Sequence, residues 1–462
     1  MRPHLVIFLP FIPTDQKEET VKQLKTAFRS LTQRICRELE GQVIPKRPVW
    51  TVVNPPGAAP YVALDVERPA LDDLRFTLSI GLLKMPEYGV VAEAVENDPE
   101  LREGIIVNAD GFLRKPERTN LTRALVMNFL WRYLGEGIRL DWNETRFVEM
   151  FKELREELRR KSVVLHATLP LSNLKMDIDA LDFSDELKLL PASIEELERW
   201  INRDRILPSL GAGPPEWNTL YVDKPAVLHA RQLVVGRPPS TDPGAVLSQL
   251  PRVNADHAIT ALRLVMNAPI SVIFQEHDSE GLMAFVGGGT SWGWSPPPLG
   301  PLATLNQEKA TQVIHIWERL QTSPNIDHLR LPLRRWESSL LRPNIEDKLI
   351  DAWISLEALL LGGLEGELTY RAAVRLAEFL GASGVDRKAI YDAAKISYNW
   401  RSVVVHAVST KSKRVKDLTK RRPLQEAVQL TTEYLRSALL KLLDLPGQFD
   451  PGKLESDLLS RD

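Results

Sequence analysis

The last third of the chain repeats apolar residues at the three- and four-residue spacing of an α-helix, in one segment after another. A helix with one apolar stripe must bury that stripe against other helices, and short connections join antiparallel neighbours. The pattern therefore predicts an antiparallel helical bundle over residues 302–462. Its helices are expected at residues 308–320, 328–341, 346–361, 369–380, 387–404 and 423–443.

A chain of 462 residues is too long for a single ordinary core, so we expect two or three domains. Two regions with different residue patterns precede the bundle. Residues 1–161 predict an N-terminal α/β region, in which short apolar runs accompany long helical stripes. Residues 162–301 predict a mostly β domain of short runs separated by Pro- and Gly-rich turns. The expected fold class is therefore multidomain α+β. Candidate helices lie at residues 18–39, 119–134, 144–160, 193–201 and 256–266, and candidate strands at 5–11, 49–53, 163–169, 219–222 and 282–286.

The composition argues against several classes of protein. The net charge of −2 provides no overall basic surface, so any contact with nucleic acid needs a local cluster of positive charge. Cys36 is the only cysteine and no two histidines have H-x-x-x-H spacing, so we expect no disulfide, no metal site and no cofactor. The sequence has neither an apolar run of membrane-spanning length nor a signal-peptide pattern, which predicts a soluble, cytoplasmic protein.

One short stretch, residues 398–407, carries the residues best suited to chemistry. Arg401 and His406 are five positions apart, with three helix-weakening valines between them. Arginine holds phosphate oxygens with a permanent charge, whereas histidine moves a proton near neutral pH. On a continuous helix the two side chains point about 140° apart. They meet on one ligand only if the helix ends or bends between them, or if a second chain completes the site. The alternative is a helix-end arginine and a histidine with a structural role.

A carboxylate lies on the apolar face of the helix expected at residues 346–361. Glu357 is the carboxylate, and a buried charge must be paired or neutralised. Arg401 and Arg371 are both candidate partners, unless Glu357 reaches solvent at the edge of the stripe. The apolar residues expected on the same face are Ile350, Trp353, Ile354, Ala358 and Leu361.

A basic cluster follows His406, with only Asp417 as a counterweight. It predicts either a contact with a nucleic-acid backbone or a solvated basic loop. If the protein binds RNA, the contact residues are expected to be Lys411, Lys413, Arg414 and Lys416. The rest of the cluster is Lys420, Arg421 and Arg422.

Two further stretches each have two interpretations. The highly charged helix at residues 144–160 either touches nucleic acid, or presents a solvated face or connects two domains. Residues 287–298 combine glycines, two tryptophans and three prolines. They either cradle a phosphate and stack bases, or form the end of a hairpin with packed tryptophans.

The C-terminal region resembles the HEPN superfamily, and within it the Apea-like HEPN domains. The matching stretches have the order, spacing and apolar framing of that family over residues 303–445. They are Leu333-Arg334-Arg335-Trp336, residues 346–351 running into Leu356-Glu357-Ala358-Leu359, Tyr370-Arg371 with Leu376-Ala377, and residues 401–406. The β-type region before them is similar, more weakly, to the segment that often precedes such domains.

This resemblance implies a small helical bundle that forms a homodimer, in which arginine and histidine of both protomers line one cleft and cut RNA without a metal. Carried over, Arg401 and His406 would be the catalytic pair, with Glu357 as a supporting polar residue. Ser402 follows the arginine directly, where many members have Asn, Asp or His, and serine is ordinary in the Apea-like members.

The leading interpretation is a metal-independent endoribonuclease that cleaves RNA by attack of the 2′-hydroxyl group. As many HEPN proteins do, it would act as a toxin or antiphage effector, with an unidentified trigger or antitoxin as a further partner. One alternative is a non-catalytic HEPN module that binds RNA or nucleotides, or senses a trigger and signals to a partner. Another is a dimerisation scaffold in which Arg401 and Glu357 form an internal salt bridge.

Overall fold

A computed structural model describes most of the C-terminal half and parts of the N-terminal half. The strand expected at residues 5–11, the candidate strands at 219–222 and 282–286, and most of the stretch at 287–298 lie outside the described residues. The described residues are 14–40, 46–53, 61–69, 81–97, 118–134, 141–158, 162–203, 225–235, 243–279, 290–291, 302–362, 366–409, 411–454 and 456.

The N-terminal region has its own core. Phenylalanines of three helices pack edge-on or stacked in it, and Phe28 lies 5.0 Å from Phe129 between ring centroids. Burial raises the pKa of the Cys36 thiol to about 11, so this cysteine is protonated and unreactive at neutral pH. The helices confirm the predictions for residues 18–39 and 119–134, and the prediction for residues 144–160 over the described residues 144–158. The elements are α1 (Thr14–Leu39), β1 (Lys46–Val53), β2 (Tyr61–Pro69), α2 (Pro86–Asn97), α3 (Arg118–Leu134) and α4 (Glu144–Leu158).

The middle region forms a small sheet with two helices. In one strand, Ala167 and Leu169 are buried whereas His166 and Thr168 on the other face are half-buried, as expected for a sheet with one covered face. Towards the end of the strand both faces are covered, since Pro170, Leu171 and Ser172 are all buried. The elements are β3 (Ser162–Ser172), β4 (Leu174–Met176), β5 (Leu181–Ser184), β6 (Leu187–Pro191), α5 (Ile194–Arg203), β7 (Ala226–Val235), α6 (Pro243–Met266), β8 (Ser271–Val272), β9 (Gln275–Ser279) and β10 (Thr290–Ser291). Within the described residues the strand order is β10-β9-β3-β7-β6-β5, all antiparallel, and β8 pairs with the end of β3.

The C-terminal region is a helical bundle, and all six helices expected there are present. The chain enters the bundle through a short strand that pairs in parallel with β4. The strand is β11 (Ala303–Leu305), and the helices are α7 (Gln307–Thr322), α8 (Ile326–Leu341), α9 (Ile345–Leu360), α10 (Leu368–Leu380), α11 (Gly384–Val405), α12 (Lys413–Arg421) and α13 (Leu424–Asp444).

Short polar residues begin these helices and explain where they start. Asn306 and Asn344 accept hydrogen bonds from backbone N–H groups of the first turn of α7 and α9. Ser383 and Asp386 form a reciprocal capping box at the start of α11. Each cap satisfies donors that a helix cannot pair internally, a contribution of about 1 kcal/mol per residue.

The sheet and the bundle share one continuous hydrophobic core. It extends from β3 and β7 through α6 to the helices α7 to α13, and Trp336 and Trp353 are fully buried in it. A polar link joins the same two regions, because Glu337 of α8 accepts hydrogen bonds from Thr260 and Arg263 of α6, at 2.6 and 2.9 Å. The division of the chain at residues 301 and 302 stays a prediction.

The buried face of α9 differs from the expected one. Ile350, Ile354 and Ala358 are only half-buried. The reason is that α9 packs between α8 and α13, which covers a broader and rotated face. Glu357 consequently lies at the margin of the core, with 23% of its side chain exposed. The buried residues of α9 are Leu349, Asp351, Ala352, Trp353, Ser355, Leu356, Leu359 and Leu360.

Candidate active site

The helix α11 carries the central pair of residues and remains regular through all three valines. Its end has the hydrogen-bond pattern of a Schellman motif, with Ala407 in the left-handed region at a φ of 47°. The helix therefore does not bend between Arg401 and His406, and it ends at Val405, one residue beyond the end expected near residue 404, with His406 as its cap. Of the two ways in which these side chains could meet on one ligand, a second chain that completes the site remains. The closing bonds run from His406 N to Ser402 O, from Ala407 N to Val404 O and from Val408 N to Val403 O, at 3.1, 3.1 and 3.0 Å.

Arg401 is held from two sides. Its Nη2 lies 3.5 Å from Oε1 of Glu357, so Arg401 is the partner of this carboxylate and Arg371 is not. Its guanidinium carbon lies 5.4 Å from the centre of the Tyr398 ring, within the range of a cation–π contact. The Arg401 side chain is 27% exposed, and its buried Nε has no hydrogen-bond partner among the described residues. In the described part of the chain, the facing Oε1 of Glu357 also lacks a hydrogen bond, so the two groups form an ion pair without a hydrogen bond.

A buried network fixes the tyrosine beside the arginine. The Tyr398 ring packs edge-on against Trp353 of α9, with centroids 4.8 Å apart. The indole of Trp353 donates a 2.9 Å hydrogen bond to Ser397, whose hydroxyl also contacts that of Thr431 on α13. Residues of α9, α11 and α13 therefore orient the Tyr398 ring, and this ring in turn contacts Arg401.

Tyr398 and Trp353 were not predicted as site residues from the sequence. Tyr398 precedes Arg401 by three positions, which is a neighbouring position on a helix surface, so its contact was detectable from spacing alone. The apolar stripe of α9 predicts that Trp353 is buried, but its hydrogen-bond partner Ser397 lies on another helix. No pattern within a single helix reveals such a pair.

His406 lies at the C-terminal end of α11 and is exposed to solvent. Because the helix is continuous up to Val405, Arg401 and His406 point about 140° apart. One chain therefore does not direct both side chains at the same point. Ser402 is half-buried between them, and its backbone carbonyl accepts the N–H of His406.

The basic segment after His406 is a helix and not the loop that the sequence suggested. Ser412 accepts a hydrogen bond from Val415 N and begins α12, while Val415 and Leu418 are buried against the bundle. Two apolar residues three positions apart do not by themselves predict a helix in so highly charged a segment. Trp400 attaches the end of the helix, because its indole donates to the carbonyl of Arg422 at 2.9 Å.

The outer face of α12 carries most of the positive charge. Arg421 and Arg422 pair with Asp417 and Glu426, which are four residues away in each case. Within the described part of the chain, the remaining basic residues of the segment form no ion pair and are exposed. They are Lys411, Lys413, Arg414, Lys416 and Lys420.

Two other findings bear on the classes of function. Among the described residues, no three His, Cys, Asp or Glu side chains are grouped so as to hold a metal ion. None of the described helices is long and apolar enough to cross a membrane.

Comparisons with known proteins identify no relative. No protein-family model matches the chain, and neither the curated proteins nor the solved structures give a match. The functional interpretation therefore depends on the residues and their geometry.

Proposed function

We propose that this protein is a metal-independent endoribonuclease of the HEPN type, with Arg401 and His406 as its catalytic pair. One observation carries the proposal. Arg401 is held half-exposed by Glu357 and Tyr398, less than two turns before a helix end at which His406 is open to solvent. A fixed cation near an exposed proton carrier is a suitable combination for cleaving a phosphodiester.

The reaction needs only a proton carrier and a positive charge. The ribose 2′-oxygen attacks the adjacent phosphorus while its proton leaves, and the bond from phosphorus to the 5′-oxygen breaks as that oxygen gains a proton. The products are a 2′,3′-cyclic phosphate and a 5′-hydroxyl. His406 moves one of these protons, which accelerates such reactions about 10²–10⁴-fold. Arg401 holds the non-bridging oxygens, where negative charge increases.

The proposed active site includes two chains. Because α11 is continuous, Arg401 of one chain and His406 of the same chain diverge by about 140°. A homodimer through the bundle solves this problem, since the histidine of one chain then approaches the arginine of the other. Symmetric two-fold dimers of this kind are the commonest oligomers.

RNA is the proposed substrate, and α12 is its proposed backbone contact. The exposed Lys413, Arg414 and Lys416 follow His406 closely in the chain. Cations on an exposed face attract the phosphate backbone of any nucleic acid. DNA would bind there but would not react, because it lacks the 2′-hydroxyl group. A role as toxin or antiphage effector, with a trigger or antitoxin, is part of the proposal through the family resemblance.

The ion pair itself favours a second candidate function. Glu357 neutralises Arg401 at 3.5 Å, as expected in a module that uses the arginine to hold two helices together. In that case the protein binds RNA or nucleotides without cleaving them, or signals to a partner. Its exposed basic helix would serve this function equally well.

Cleavage of RNA in the presence of EDTA tests the proposal. The full-length protein is expected to cut RNA and to leave 2′,3′-cyclic phosphate ends. Arg401→Ala and His406→Ala should each reduce the rate at least a hundredfold. Matched controls are Arg334→Ala and His315→Ala, which remove exposed residues of α8 and α7.

Three outcomes would contradict the proposal. They are products that end in a 3′-hydroxyl, cleavage that survives either substitution at the pair, and RNA binding by the wild-type protein without any cleavage. The last of these would favour the non-catalytic candidate.

A further inference from the structure

A row of aromatic and basic side chains runs along the exposed side of α11 towards His406. At 100° per residue, Tyr391, Lys395, Tyr398 and Ser402 fall within about 60° of one another. Lys395 is exposed. The two tyrosines pack with one side against the core and are half-buried, so each presents part of its ring at the surface. The row covers about 17 Å of helix and ends beside the candidate active site.

Contacts along the row join it into one surface. Tyr370 of α10 has 56% of its surface exposed and packs edge-on to Tyr391, at 6.3 Å between ring centroids. Lys395 Nζ lies 5.6 Å from the centre of the Tyr391 ring, and Arg401 lies over Tyr398. Aromatic rings accompanied by cations are the composition of surfaces that stack unpaired bases and hold their phosphates.

The distance between the two tyrosine rings of α11 indicates whether the row binds single-stranded or double-stranded nucleic acid. Tyr391 and Tyr398 are separated by about 10 Å along the helix, whereas stacked bases of one strand are about 3.4 Å apart. The rings therefore engage base faces only where the bases are unstacked and splayed. Unpaired RNA offers such bases, whereas a duplex hides them.

The row and the basic helix α12 lie on different sides of α11. Trp400, which holds the end of α12, is two positions after Tyr398 and thus about 160° around the helix from it. His406 ends α11 between these two surfaces. A strand that passes the end of the helix can reach both.

We propose that Tyr370, Tyr391, Lys395 and Tyr398 form a track for single-stranded RNA that leads to His406. This inference rests on the proposed function and deepens it, because it names unpaired RNA as the substrate form. The tyrosines stack bases on one side of the scissile bond, and Lys395 holds a phosphate between them. Duplex RNA binds only through the charges of α12.

Binding measured in a cleavage-silent protein tests the track independently of catalysis. Full-length His406→Ala is titrated into a fluorescein-labelled, mixed-sequence RNA strand, and into the same strand annealed to its complement. Tyr370→Ala is expected to weaken binding of the single strand about tenfold, within the range for the removal of one stacked base. Tyr370→Phe retains the ring and should restore most of the affinity.

Matched controls separate the track from nonspecific effects. Val385→Ala removes the most exposed apolar side chain at the start of the same helix, about 120° from the row, and should leave binding unchanged. Binding of the annealed duplex should be the same for Tyr370→Ala and for the parent. Thermal unfolding of each variant checks that it is folded, which is expected because Tyr370 is exposed.

Each outcome of the binding and sedimentation measurements either supports or overturns the proposed RNA track. A loss confined to the single strand and restored by Tyr370→Phe supports the track, even if the wild-type protein proves unable to cleave RNA. Equal single-strand affinity of Tyr370→Ala and its parent overturns the track while leaving the proposed function intact. A change in sedimentation without a change in RNA affinity also overturns it, since the row is then an interface between two copies.

Discussion

Arg401 is a half-buried cation that contacts a carboxylate and an aromatic ring in the absence of any ligand. Glu357 lies at 3.5 Å and the Tyr398 ring at 5.4 Å, and Trp353 holds that ring from behind. A preorganised charge stabilises a transition state without reorganising during the reaction. Glu357 therefore acts on the reaction through Arg401, as a positioning residue.

The variant Glu357→Gln tests this positioning role. It keeps the size of the side chain but removes the charge that orients the guanidinium. We expect RNA cleavage to fall about tenfold, whereas the free energy of unfolding changes by less than about 1 kcal/mol, as for a partly exposed ion pair. Chemical denaturation and initial rates measure the two quantities.

The control for this variant is Glu433→Gln, which removes the carboxylate of another partly exposed arginine pair on α13. Its cleavage rate should equal that of the wild type. An unchanged rate in Glu357→Gln would show that Arg401 does not need its carboxylate.

His257 predicts a pH dependence of stability. Burial lowers the pKa of this α6 histidine below 6.5, and nearby Glu337 only partly opposes the shift. Below pH 6.5 the unfolded chain takes up a proton that the folded chain still excludes. The contribution of the neutral His257 to the free energy of unfolding is therefore fully present above pH 6.5, and it is lost as the pH falls from 6.5 through the folded-state pKa.

Thermal unfolding at about pH 7.5 and about pH 5.5 measures this effect. The wild-type midpoint should fall more between the two pH values than that of His257→Gln. His406→Gln, which changes an exposed histidine without an ion pair in the described part of the chain, serves as the control. Equal pH responses of wild type and His257→Gln would contradict the assignment.

At the scale of elements, the basic segment is more defined than its composition suggests. Ser412 begins α12, and the buried Val415 and Leu418 fix which side faces the bundle. The lysines and Arg414 therefore project outwards as a set. A helix that presents its charges in this way loses less conformational entropy on binding than a flexible loop would.

Neutralising that face should change the salt dependence of RNA binding. In the triple variant Lys413→Gln, Arg414→Gln and Lys416→Gln, the slope of log affinity against log salt should fall by about 0.7 for each phosphate that the protein no longer neutralises. The matched control is Lys22→Gln, Lys84→Gln and Lys175→Gln, which removes three exposed lysines elsewhere. An unchanged slope in the first triple would exclude α12 as the contact surface.

The sequence predicts the positions of the helices better than it predicts which face of each helix is buried and which side chains meet between helices. The stripes of α1, α7 and α13 are long and regular, and their caps are local, so both were detectable in the sequence. The buried face of α9 differs from the one that its apolar stripe predicts, since a helix packed on two sides has no single stripe. Tyr398 and Trp353 meet through tertiary packing, which one sequence without its partners does not reveal.

For the whole molecule, the sheet and the bundle share a core, whereas the N-terminal helices surround a separate one. A perturbation of the sheet can therefore reach the bundle through buried contacts and through the bonds of Glu337 to α6. Arg401 and His406 lie in the C-terminal bundle, at the end of α11. Their divergence on one helix is the reason that the proposed active site requires two chains.

Co-expression of two inactive variants tests this claim most directly. Arg401→Ala and His406→Ala carry different affinity tags, and mixed dimers are isolated by sequential purification. If the arginine of one chain acts with the histidine of the other, the mixed dimer keeps one intact pair. Each variant alone should be inactive, whereas the mixed dimer should cleave RNA in EDTA at about half the wild-type rate or less. An inactive mixed dimer beside an active wild-type protein, or an active wild type that sediments as a monomer, would contradict the two-chain site.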